Sequence, residues 1–159
     1  MRTQTGQLMC DLGLLSMRVM LGVVFVYHGS QKLFGLFDGT GLPGFTAYLH
    51  QLDVPNPQYA AVLAAGAEFF GGLALIVGVQ MRLMVVPLAA TMLVAAFVVH
   101  RGHFESARGG MEYPLTLAVV LIGLGLTGPG RFSLRTLINI KQVILPEEEA
   151  VAFERRLGA

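Results

Sequence analysis

The chain has 159 residues, of which 54% are hydrophobic and 13% charged, and its net charge is +1. A soluble domain carries roughly 25% charged residues, so with half that charge and a mean hydropathy of +0.65 the excess apolar side chains need a bilayer as their solvent. This balance excludes a disordered chain, a broad nucleic-acid footprint and, with Cys10 as the one cysteine, a disulfide framework or a Cys-cluster metal site.

The predicted architecture is all-α: a polytopic four-helix membrane bundle forming one domain over residues 1–159. A spanning helix needs roughly 17–25 apolar residues. The first candidate covers about 12–34 and is free of Asp, Glu, Lys and Arg between Val19 and Gln31. It is too long for a signal-peptide core and lacks a small-x-small cleavage site, so it reads as a retained helix. The first loop, 35–58, is rich in Gly and Pro. Within it Phe45, Tyr48, Leu49 and Leu52 share one face at helical spacing, which predicts a short outer helix, re-entrant, interfacial or capping the bundle.

The second span covers about 59–79, with Glu68 as its single charge. Its small residues recur four apart (Ala60 and Ala64, Ala67 and Gly71, Ala74 and Gly78), the pattern that lets helices touch in lipid. A tight turn leads to the third span, 83–100, so these two should pack antiparallel. A polar loop precedes the fourth span, 113–128, which ends at Gly128-Pro129-Gly130. The last part, 131–159, reads as an amphipathic cytoplasmic tail. Four spans put both termini on one side, with Arg2, Arg82, Arg131, Arg135, Lys141, Arg155 and Arg156. Lys32, Arg101 and Arg108 fall on the other. The positive-inside rule then places both termini in the cytoplasm.

Charges at membrane depth cost at least about 2.5 kcal/mol each and need a reason. Arg18, Gly22, Phe25, His28 and Lys32 fall on one face of the first helix. With both helices centred, Glu68 lies roughly 7–8 Å in depth from Arg18 or His28, so an Arg18–Glu68 structural ion pair is expected. The alternative is a Glu68 that moves protons. Lys32 either snorkels to the interface or joins His28, His100, His103 and Glu112 in a polar cluster above Glu68. The three histidines could also meet at a metal or haem, although no familiar ligand signature is present. Cys10 reads as a small hydrophobe on the cytoplasmic side.

Four motifs in order resemble the DoxX family of small bacterial membrane proteins. They are Arg18-x3-Gly22-x2-Phe25-x2-His28-Gly29-x2-Lys32-Leu33-Phe34-Gly35; Glu68-Phe69-x-Gly71-Gly72-x-Ala74-Leu75-x3-Gly78; His100-x2-His103-Phe104 with Gly109-Gly110-x-Glu112-Tyr113-Pro114; and Gly128-Pro129-Gly130-Arg131-x-Ser133-Leu134. The resemblance implies a four-helix protein of the bacterial inner membrane. It also implies kinship with subunits of thiosulfate:quinone oxidoreductase and of sulfur- and redox-linked complexes. Arg135 stands where the family often has an acidic residue, and the single cysteine argues against a thiol pair of this chain's own.

The resemblance implies a function as a subunit of a quinone-linked membrane oxidoreductase, serving sulfur oxidation or thiol and oxidative-stress chemistry. Glu68 and His28 are the candidate catalytic groups. His28, Lys32, His100, His103, Arg18 and Glu112 are the candidate quinone-binding groups, and Phe25, Phe69, Phe70 and Phe97 the candidate ring contacts. No metal is expected at the site, and no flavin, haem or iron–sulfur motif is visible, so electrons would come from a partner redox protein. The rival expectations are a non-catalytic membrane anchor, or a small proton-coupled transporter working as a homo-oligomer.

Overall fold

The computed structural model describes residues 4–134 and 136. Among these residues five α-helices follow one another: α1 Gln4–Phe34, α2 Gly41–Gln51, α3 Pro57–Val77, α4 Met81–Val94 and α5 Glu112–Thr127. The helix α4 continues into a π-turn at Ala95–Val99, and a 3-10 turn at Ser106–Arg108 sits in the last loop. The chain α1, α3 and α4 with its π-turn are long and apolar enough to cross a bilayer; α5 is a shorter apolar helix packed beside α4. The molecule is thus a membrane helical bundle, as its hydropathy requires.

The first helix is longer than expected. It begins at Gln4 rather than near residue 12, and it absorbs Asp11, whose carboxylate accepts the Arg131 backbone N–H at 3.1 Å. The expected tail, 131–159, lies outside the described residues except for 131–134 and 136, as do Arg2, Arg135, Lys141, Arg155 and Arg156.

Close approach of α1 and α3 sets the frame for everything polar. A Cβ on Gly29 would lie 2.6 Å from the Phe69 backbone nitrogen, and one on Gly72 would lie 2.8 Å from the Gly22 carbonyl. Only glycine permits these contacts, and backbone proximity replaces the hydrophobic drive that lipid cannot supply. Beside this pair, Leu75, Leu88, Met92, Leu121 and Leu124 form a buried core shared by α3, α4 and α5. Lipid takes the rest: Leu63, Phe70, Val86, Val119 and Leu126 are exposed on the outer faces.

The ends of α3 follow local rules. Pro57 opens the helix, where its missing N–H costs nothing. Gly78 closes it at φ +77°, its N–H donating to the Ala74 carbonyl at 2.8 Å. Within α4, Pro87 removes one ladder bond. At its end the His100 N–H reaches back five residues to the Ala95 carbonyl, which makes the π-turn.

Candidate functional site

Among the described residues two charged side chains, Glu68 and Arg18, are buried, at opposite ends of the bundle. At the end where α1 finishes, Lys32 Nζ donates to both carboxylate oxygens of Glu68, at 2.5 and 2.6 Å. Glu68 is 1% exposed, while the Lys32 side chain is 28% exposed. Phe45 of α2 covers the ammonium, 5.2 Å from nitrogen to ring centre, an attractive cation–π arrangement. The short helix α2, predicted near Phe45–Leu52, therefore caps the bundle, packing on both α1 and α3.

At the other end the expected Arg18–Glu68 pair does not form. Arg18, 2% exposed, instead donates to the Pro129 carbonyl at 2.9 Å and the Phe132 carbonyl at 2.7 Å. The glycine contacts explain the difference. They align Gly29 with Phe69, so Glu68 sits near the level of Gly29 and not of the middle of the apolar run. Arg18 is eleven positions away, roughly 16 Å at 1.5 Å per residue. The guanidinium packs on Gly78, so the Gly128-Pro129-Gly130 motif acts as a carbonyl clamp for a buried arginine. The Nε of Arg18 is left without a partner among the described residues.

The remaining candidates divide. His28 is half-buried beside the Lys32–Glu68 pair, with Nδ1 3.1 Å from Gln31 Oε1. Tyr27 meets its ring edge-on at 5.4 Å, and Tyr113 of α5 meets it at 6.4 Å and 66°. Sequence reasoning missed Tyr113 as a site residue. The signal was available in the Glu112-Tyr113-Pro114 motif, but its depth depends on how α5 docks.

His100, His103 and Glu112 lie at the same end but serve the loop. His100 Nδ1 is 2.8 Å from the Gly109 carbonyl, and Glu112 Oε2 accepts the Ser106 N–H at 3.1 Å. His103 is exposed, and its carbonyl accepts the Met111 N–H. Among the described residues no three His, Cys, Asp or Glu side chains gather as an ion-binding group. The phenylalanines also scatter. Phe25 is buried in the core, Phe69 contacts Phe34 and Phe70 edge-on, and Phe70 and Phe97 are 63% and 57% exposed toward lipid.

An apolar groove opens to lipid between α1 and α5, lined by Ser16, Met17, Met20, Leu21 and Val120. Leu21 and His28 are seven residues apart, as are Tyr113 and Val120. Seven residues are close to two helical turns. The groove therefore lies on the same α1–α5 seam as the His28–Tyr113 contact, roughly 10 Å along it.

A helical membrane bundle with a buried glutamate paired to a half-buried lysine, and a histidine one helical turn before that lysine, is the class defined here. The DoxX family model matches residues 13–101, and the chain belongs to the DoxX family. Over 132 residues it is 30% identical to the "Inner membrane protein YqjF" of Escherichia coli (strain K12), covering 82% of this chain and 95% of that protein. It is also 30% identical over 125 residues to the "Putative oxidoreductase CatD" of Bacillus subtilis (strain 168), covering 74% and 81%. No solved structure matches.

Proposed function

We propose that this chain is a multi-pass subunit of the bacterial inner membrane, with both termini cytoplasmic, that binds a quinone for a redox partner. The observation that carries the reading is His28, in contact with Tyr27 and Tyr113 and one helical turn before Lys32, which pairs with the buried Glu68. A quinone or quinol headgroup needs hydrogen-bonding groups at its two oxygens, and His28 and Tyr113 are of the right chemistry to supply them. The apolar groove farther along the α1–α5 seam suits an isoprenoid tail. A bound quinone would supply two-electron, two-proton chemistry. The chain's own residues would orient the headgroup and hold protons at His28 and Glu68, two ionisable groups of the kind that mark proton routes in membranes. The printed names of the two relatives, "Inner membrane protein YqjF" and "Putative oxidoreductase CatD", agree with this reading.

A second reading has its own observation. Both Glu68 oxygens are already satisfied by Lys32, as a purely structural pair would require, and the chain would then be an anchor for a partner complex. Calorimetric titration with duroquinol, whose hydroxyls can donate to His28, separates the two. The quinone reading expects saturable binding to the purified protein, weakened at least about tenfold in His28→Ala, the loss of roughly 1.4 kcal/mol. No saturable binding to the folded protein favours the anchor.

A further inference from the structure

The loop after α1 fixes the chemistry of His28. Gln31 Nε2 donates to the Phe37 carbonyl at 3.1 Å. That bond decides which way the amide points, because a flipped amide would set oxygen against oxygen. Gln31 therefore presents Oε1 to His28, 3.1 Å from Nδ1. An amide oxygen only accepts, so the neutral imidazole must carry its proton on Nδ1. This is the less favoured tautomer of a free imidazole side chain, and it leaves the Nε2 lone pair free to accept a hydrogen bond.

The surroundings reinforce the arrangement. Phe37 holds its carbonyl in place from a left-handed backbone, φ 54°, and its ring stacks on Tyr27 at 4.8 Å. Gly39 packs directly on the Gln31 backbone with no room for a Cβ. A non-glycine residue at positive φ is strained, so the loop holds a strained residue at the point that orients Gln31. Lys32, next in the chain, is committed to Glu68 and does not compete for the ring.

We propose that Gln31 is a positioning residue that holds His28 as the Nδ1–H tautomer, so that Nε2 accepts a proton or hydrogen bond from a hydroxyl-bearing headgroup such as a reduced benzoquinone. The choice of ligand rests on the quinone reading; the tautomer does not. The test is nitrogen NMR of the full chain in nanodiscs, with 15N-labelled histidine, at alkaline pH where imidazole is neutral. The His28 signals are identified by their loss in His28→Gln. The expected result is a protonated Nδ1 and an unprotonated Nε2 in the wild type, exchanging roles in Gln31→Met, which keeps the side-chain length but offers no amide oxygen. A wild-type His28 protonated on Nε2 overturns the proposal, even if the variant fails to fold. So does a Gln31→Met protein that folds and keeps the proton on Nδ1. Added duroquinol should then move the Nε2 signal. An Nδ1–H tautomer with no response to duroquinol sinks the quinone reading while leaving the role of Gln31 in place.

Discussion

Lys32 and Glu68, 36 positions apart, meet across the α1–α3 interface with both carboxylate oxygens bonded to one ammonium. The pairing follows from glycine. Because Gly29 lets α1 lie on the Phe69 backbone, the lysine one turn beyond Gly29's level can reach back to a carboxylate buried in α3. A buried pair is weak evidence for net stability, but breaking one side leaves an uncompensated charge.

The pair predicts a non-additive pattern. Lys32→Met should destabilise the bundle by about 3–5 kcal/mol, because Glu68 has no other cation within bonding distance among the described residues. Adding Glu68→Gln should recover most of that loss. Thermal unfolding in mild detergent, followed by size-exclusion recovery, measures both. Equal melting of the single and double variants would show that the carboxylate is neutral or otherwise paired.

Glycines along α1 and α5 should differ sharply. Gly29→Ala forces a Cβ to 2.6 Å from backbone that cannot yield, and overpacking of this kind costs about 1–3 kcal/mol. Gly123→Ala meets nothing within 4 Å and should be neutral or stabilising by up to about 1 kcal/mol, through helix propensity. The same melting assay reads both variants, and a Gly29→Ala protein as stable as the wild type would refute the α1–α3 contact.

The Arg18 clamp makes a geometric prediction. Arg18→Lys keeps the charge but replaces a two-pronged donor that spans Pro129 and Phe132 with a single ammonium. It should lose one charged hydrogen bond, about 1.5–3 kcal/mol. Gly78→Ala should do similar damage, because Gly78 packs on the guanidinium and holds φ +77°. If Lys substitutes freely at position 18, the carbonyl clamp is not what holds the arginine.

The exposed pair Glu105–Arg108, 3.0 Å apart with side chains 63% and 71% exposed, should matter little. Arg108→Ala is expected to change stability by no more than about 0.5 kcal/mol. A larger loss in the melting assay would show that the 101–112 loop depends on this pair and not on its backbone bonds.

Much of this was legible in the amino-acid sequence, and what was not has one cause. Hydropathy located all four apolar helices, and face periodicity found the short helix around Phe45. Glu68, His28 and Lys32 were visible as a polar group because charges in an apolar run are few. Their partners were not, because partners depend on register. Centring two helices in a slab put Glu68 opposite the wrong part of α1. Only the contacts at Gly22, Gly29 and Gly72 carry the true offset, and small residues alone do not say which backbone they touch. Tyr113 and Gln31 were overlooked for a related reason. Their importance lies in an α5 docking and a loop conformation that local pattern does not encode.

The most direct test of the quinone reading is the quinone content of the protein purified in mild detergent from bacterial membranes. The account predicts close to one quinone extracted per chain, retained in Phe97→Ala on the lipid-facing surface and lost in His28→Ala at unchanged fold. A folded wild-type protein that carries no quinone, or a His28→Ala protein that carries as much as the wild type, would contradict it.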